Sequence, residues 1–201
     1  NIVFSVPTGN FGDIFAGYIS NMMGLKFKKL IIATNENNIL HRTLKTGDHK
    51  LADVVSTTSP SIDIQVSSNF ERLLYDACKD SDHINSLMNE LNKNKSFKLS
   101  ESILRKIRKL FLSGSANQDK VACIIKEYQE KYNITLDPHT AVGVICGKDL
   151  VNDNEKLVTL STAHPAKFKE SVSEIISNDS FVTDRVRELE SMEEKMIIVE
   201  N

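Results

Sequence analysis

The sequence predicts an α/β protein: a doubly wound, mainly parallel sheet flanked by helices, with a helical excursion over about residues 69–133. Three observations carry that prediction. Ile2-Val3-Phe4, Leu30-Ile31-Ile32-Ala33 and Leu157-Val158-Thr159-Leu160-Ser161 are short apolar runs of the kind that strands covered on both faces show. Between the first two, Phe11, Ile14, Phe15, Tyr18, Ile19 and Met22 recur at steps of three and four, the spacing of an amphipathic helix. Strand and helix are joined by the Gly-rich turn Val6-Pro7-Thr8-Gly9-Asn10-Phe11-Gly12-Asp13.

Each element has its own signal. Gly24 stands where a glycine stops the first helix, and Gly47 closes a short helix marked by Ile39, Leu40, Thr43 and Leu44. Residues 56–61, Ser-Thr-Thr-Ser-Pro-Ser, read as a loop. A helix starts at Asn69 with Phe70, Leu73, Leu74 and Ala77, and helical patterns follow at 84–91, 103–112 and 121–132. Asn92-Lys93-Asn94-Lys95 and Ser113-Gly114-Ser115 read as solvated turns between them. Arg105, Lys106, Arg108 and Lys109 read as the wet face of an amphipathic helix, with a partner-binding patch as the alternative. Asp137 is placed to cap a helix that has Pro138 at its first position. The third strand delivers Thr162–Phe168, and Phe168, Val172, Ile175 and Ile176 stripe the helix behind it. The last twenty residues read as acidic helix to about Met192, with Met196–Val199 as a short edge strand.

Composition narrows the function classes. A chain of 201 residues, 40% hydrophobic and 26% charged, is expected to form one soluble globular domain. A net charge of −2 argues against nucleic acid as partner, since no basic excess meets a phosphate backbone. No apolar run approaches the ~20 residues of a membrane span, and no basic-then-apolar leader is present, so a cytoplasmic location is expected. Cys78, Cys123 and Cys146 are widely spaced and read as buried free thiols. The chain opens at Asn1 on what reads as a core strand, so a preceding segment is expected.

The Gly9–Asp13 turn carries the most chemistry. A strand leading through glycines into a helix start aims unpaired N–H groups and a positive helix end at one point, which suits a phosphate. Gly9 and Gly12 are read as letting the backbone turn tightly there. A plain strand-to-helix connection is the alternative. The spacing fits neither a P-loop nor a dinucleotide fingerprint. No histidine sits at metal spacing; His41, His49 and His83 read as surface or helix residues, and no G-x-S-x-G elbow is present. In a doubly wound sheet the turn, the Asp137–Gly143 helix start and the Thr162–Lys167 loop converge at the carboxyl edge, beside Thr34 and Asn35. That supports a phosphate-bearing ligand and no particular reaction.

Six blocks, in order, say more. Val-Pro-Thr-Gly-Asn-Phe-Gly-Asp (6–13), Ala-Thr-Asn-Glu-Asn (33–37), Ser-Pro-Ser-Ile-Asp-Ile-Gln (59–65), Ser-Ser-Asn-Phe-Glu-Arg-Leu-Leu (67–74), Asp-Pro-His-Thr-Ala-Val-Gly (137–143) and Thr-Ala-His-Pro-Ala-Lys-Phe (162–168) closely resemble the threonine synthase family. That family belongs to the pyridoxal-phosphate enzymes of the tryptophan-synthase β type, fold type II. The resemblance implies that Gly9, Asn10, Phe11, Gly12 and Asp13 hold the phosphate of pyridoxal 5'-phosphate through backbone N–H groups. It implies that Thr162 sets its hydroxyl against the pyridine nitrogen and leaves that nitrogen largely unprotonated; a helix N-cap is the plainer role for this residue. His164 and Lys167 would line the site or meet the substrate phosphate. The implied reaction is a carbon–oxygen lyase step converting O-phosphohomoserine and water to threonine and phosphate.

One departure is large. The Ser-Phe-Lys-Asp type motif that carries the family's Schiff-base lysine is absent; Ser96-Phe97-Lys98 is followed by Leu99, and Lys167-Phe168-Lys169 has another context. Residues 1–201 therefore resemble the C-terminal part of the enzyme domain, with the N-terminal half as the missing partner, no catalytic residue of its own and no activity alone. Other readings are a phosphohomoserine lyase making 2-oxobutyrate, a non-catalytic phosphate-binding or regulatory module, and a helical interaction module at 69–133.

Overall fold

The computed structural model describes residues 1–199. Its centre is β1 (Ile2–Pro7), whose neighbours are β2 on one side and β6 on the other. After β1 the chain makes α1 (Gly12–Met22), β2 (Lys29–Thr34), α2 (Ile39–Thr46) and the short β3 (Asp48–Lys50), then a loop ending in a 3-10 turn, Pro60–Ile62. Then come α3 (Phe70–Cys78), α4 (Ser81–Asn94), β4 (Ser96–Lys98), α5 (Glu101–Arg108), β5 (Phe111–Ser115) and α6 (Gln118–Tyr132). The chain finishes with α7 (Pro138–Leu150), β6 (Lys156–Thr159), a second 3-10 turn (Pro165–Phe168), α8 (Lys169–Ile176) and α9 (Asp184–Glu190).

The main sheet has the order β5-β2-β1-β6, and every pairing in it is parallel. Alternation along the strands divides the core into two layers. Phe4, Val6, Leu30 and Ile32 face α1 to α5, in a core that also takes Phe11, Phe70, Leu74 and Phe111. Val3, Ile31 and Ala33 face the other way, onto Ala141, Val142 and Ile145 of α7 and Val121 and Ile125 of α6. Helix α7 lies very close to the sheet: a Cβ on Gly143 would come 2.8 Å from Thr159 and 3.1 Å from Pro7. Ser5 adds a hydrogen bond to the Gly143 carbonyl, 2.6 Å.

Local chemistry accounts for the helix ends. Asp80, Ser100, Asn117, Asp137 and Thr183 each accept a backbone N–H at the start of their helix. Gly47, with φ 84°, ends α2, and Gly24, with φ 108°, follows α1.

Four expectations are corrected. The stretch 69–133 is not a purely helical excursion: β4 pairs antiparallel with β3, and β5 is the edge strand of the main sheet. Ser113-Gly114-Ser115 is thus strand, not solvated turn. It carries no apolar run because small residues are required there: a Cβ on Gly114 would meet Cys146 Sγ at 2.9 Å. Asn92–Asn94 belongs to α4, which ends at Lys95 in the left-handed conformation. Met196–Val199 forms no strand and stays 79–88% exposed, since none of the described strands pairs with it.

Candidate functional site

The turn after β1 is tied down by its carbonyls. Thr8 N–H continues the sheet to Ala33 O, 2.8 Å. Ser67 Oγ donates to Gly9 O at 2.7 Å, and Asn69 donates to Asn10 O through its backbone N–H (3.1 Å) and its Nδ2 (2.8 Å). The N–H groups of Gly9, Asn10, Phe11, Gly12, Asp13 and Ile14 find no acceptor among the described residues. Six consecutive free donors at a helix N-terminus make an anion cradle.

Glycine's part in this turn differs from the expectation. Neither Gly9 nor Gly12 has a positive φ; the left-handed residue is Phe11, at φ 65° and ψ 14°. Its ring, 1% exposed, is packed 5.4 Å from Phe70 and 5.9 Å from Phe111, and this packing offsets the cost of the strained backbone, about 1–2 kcal/mol. A left-handed residue followed by a right-handed helical one aims successive N–H groups at one place. Gly9 is needed for a different reason: a Cβ there would lie 2.6 Å from Ser61 O. The turn and the Pro60–Ile62 segment touch backbone to backbone.

A cavity of about 300 Å³ opens over the cradle. Besides the turn, it is lined by Ser61, Ile62, His139, Thr162, Ala163 and Lys167. The three segments that the sequence brings to the carboxyl edge do converge. Thr162 is held through its backbone, its N–H donating to Thr140 Oγ1 at 3.3 Å, while the Thr140 hydroxyl donates to Asp137. The Thr162 hydroxyl has no partner among the described residues. His164 lies outside this cavity: its Nδ1 accepts from Ala166 N–H at 3.2 Å, capping the 3-10 turn that presents Lys167.

His139 was not legible as a site residue. It is 3% exposed, accepts from Ser61 N–H at Nε2 (3.1 Å), meets Asp137 Oδ1 through Nδ1 (3.1 Å), and lies 4.7 Å from the Phe168 ring. Burial pushes the Asp137 carboxyl up, but hydrogen bonds from the side chains and N–H groups of His139 and Thr140 outweigh it, holding that carboxyl below the usual range. The sequence offers it only within the Asp137–Gly143 helix start, with no role of its own.

Asn35 and Asn37 serve the neighbouring loop, not the cavity. Both donate to Asp63 Oδ1, at 2.6 and 2.9 Å, and Thr57 N–H donates to Asp63 Oδ2 at 2.8 Å. This network, anchored on the buried Asn35 and Asn37, fixes residues 55–63 and so the Pro60–Ile62 turn.

His49 is no surface residue: it is 3% exposed and stacked between Phe97 (4.4 Å) and Phe70 (5.7 Å). Of the thiols only Cys146 is buried, and burial pushes it up to about 12; Cys123 is exposed and Cys78 half-buried. Among the described residues no His/Cys/Asp/Glu group could hold a metal, and no helix is long and apolar enough to cross a membrane.

Residues 140–201 match the family model described as threonine synthase, C-terminal. Threonine synthase of Saccharomyces cerevisiae is 40% identical over 99% of this chain, which covers 44% of that protein. The crystal structure of threonine synthase from yeast superposes with TM-score 0.90 at 38% identity, covering 96% of this chain and 43% of that one. The structure of PLP-bound threonine synthase from Brucella melitensis gives TM-score 0.88 at 43% identity, over 92% of this chain and 41% of that one. The chain thus spans less than half the length of these relatives. In sequence and in fold the chain is thus similar to threonine synthases, and residues 140–201 match their C-terminal part.

Proposed function

We propose that residues 1–201 supply the phosphate-binding side of a pyridoxal-phosphate site in a threonine synthase, which converts O-phosphohomoserine and water to threonine and phosphate. The observation that carries this is the run of six unpartnered N–H groups, Gly9 to Ile14, opening on a cavity shared with Thr162 and Lys167. These residues fit the cofactor: a phosphate dianion is satisfied by backbone donors and a helix N-terminus without a cationic side chain. When bound, the cofactor stabilises negative charge at the α and then the β carbon of the substrate.

The chain's own residues bind and orient. Gly9, Asn10, Phe11, Gly12 and Asp13 hold the cofactor phosphate through their N–H groups. Thr162, its hydroxyl unpartnered and its backbone fixed by Thr140, hydrogen-bonds the pyridine nitrogen; being neutral and weakly acidic, it leaves that nitrogen unprotonated. Lys167 offers its ammonium to the substrate phosphate, and His164 assists by capping the turn beneath it. The lysine that carries the cofactor, and with it the other partner surface of the site, belongs to the N-terminal half of the enzyme, so residues 1–201 alone do not turn over. The assignment is tested by borohydride reduction of the cofactor-loaded full-length protein and peptide mapping. A label on a lysine outside residues 1–201 is expected; a stoichiometric label on Lys167 would overturn the assignment.

A further inference from the structure

We propose that His139 is a positioning residue for the phosphate end of the site, holding the Pro60–Ile62 turn against Gly9 through a fixed Nδ1–H tautomer. The inference rests on the pyridoxal-phosphate reading. Both ring nitrogens are committed. A backbone N–H only donates, so Nε2, 3.1 Å from Ser61 N, is the acceptor and carries no proton. The Asp137 carboxylate only accepts, so Nδ1, 3.1 Å from Oδ1, carries the proton. The neutral Nδ1–H form satisfies both contacts, whereas a proton on Nε2 would set one N–H against another.

Ser61 transmits the effect. Its N–H is gripped by His139, and its carbonyl oxygen lies 2.6 Å from the point where a Gly9 Cβ would sit. A shift of Ser61 therefore displaces Gly9 or opens a gap behind it, and Gly9 is the first of the six free donors. The Phe168 ring, 4.7 Å away, holds the imidazole plane and is itself part of the turn that presents Lys167. His139 faces the cavity with both nitrogens occupied, so it orders the cradle and exchanges no proton with a ligand.

The test compares three variants of the full-length protein. A glutamine amide oxygen reaches the place of Nε2, whereas an asparagine reaches only that of Nδ1. His139→Gln is expected to bind pyridoxal phosphate within about twofold of the wild type, while H139N and H139A weaken it about tenfold or more. Affinity for pyridoxal, which lacks the phosphate, should be the same in all four proteins. The imidazole nitrogen resonances of the wild type should report the Nδ1–H tautomer. An Nε2–H tautomer, equal phosphate-ester affinity in all variants, or rescue by Asn in place of Gln would overturn the proposal. If the variants fail to fold, the nitrogen resonances of the wild type decide. A wild-type protein that binds no pyridoxal phosphate would instead overturn the functional reading, and the tautomer would still stand or fall by its own resonances.

Discussion

Gly9 and Gly12 differ in what a methyl group would meet. A Cβ on Gly9 lies 2.6 Å from the Ser61 carbonyl, a backbone atom that has no rotamer to escape into; a Cβ on Gly12 meets nothing within 4 Å. Gly9→Ala is therefore expected to lower stability by about 1–3 kcal/mol and to weaken cofactor binding, whereas Gly12→Ala should leave stability within ~0.5 kcal/mol. Urea midpoints and cofactor titrations of the two variants check this. His49 makes a second residue-scale prediction. Thr43 Oγ1 donates to Ile39 O, so it accepts from His49 Nδ1 at 2.8 Å. Burial first, and then the Arg42 charge, lower the imidazole to about 4. Between the ordinary value of 6.5 and about 4 the unfolded chain binds the proton and the native chain does not. His49 therefore supports stability fully above pH 6.5, and that support is lost as pH falls towards 4, on the order of 3 kcal/mol across the window. In His49→Gln the slope of stability against pH over this window should flatten; an unchanged slope would show that other groups set it.

At the scale of elements, the basic stripe of α5 does more than face solvent. Arg108 donates from Nε to Leu44 O (2.8 Å) and from Nη2 to Lys45 O (3.1 Å), satisfying carbonyls at the end of α2. Lys106 Nζ reaches Ala77 O at the end of α3. Two members of the expected wet face are thus caps for neighbouring helices. Arg108→Ala should lower stability by about 1–2 kcal/mol, and Arg105→Ala, whose guanidinium reaches only its own helix, by less than ~0.5 kcal/mol. Denaturant midpoints separate the two. The same contrast explains what was legible. β1, β2, α1, α2 and the capped start of α7 follow from apolar runs, three-four spacing and Asp-Pro, because each is dictated by its own residues. β5 was hidden because its small polar residues answer to Cys146 and Asn35 across space. In the site, the Gly9–Asp13 turn and the Thr162 and Lys167 positions were readable by motif. His139 and the Asn35–Asn37–Asp63 network were not, since their partners lie 26 or more residues away in sequence or were indistinguishable from a helix cap.

At the scale of the molecule, the sheet order places the turn after β1 at the centre of the carboxyl edge, with the β2 and β6 loops on either side. Helix α7 crosses beneath and contributes Asp137, His139 and Thr140, which hold the Pro60–Ile62 turn and Thr162. A preorganised cradle of backbone donors follows from that arrangement, and the chain spans 44% of a relative such as the yeast protein. In the proposed site the six N–H groups from Gly9 to Ile14 receive the cofactor phosphate. The most direct measurement is a crystal structure of the full-length protein with pyridoxal phosphate. Phosphate oxygens are expected within hydrogen-bonding distance of these N–H groups, with the ring nitrogen at the Thr162 hydroxyl. A phosphate bound elsewhere, with the Gly9–Ile14 donors facing only water, would contradict it.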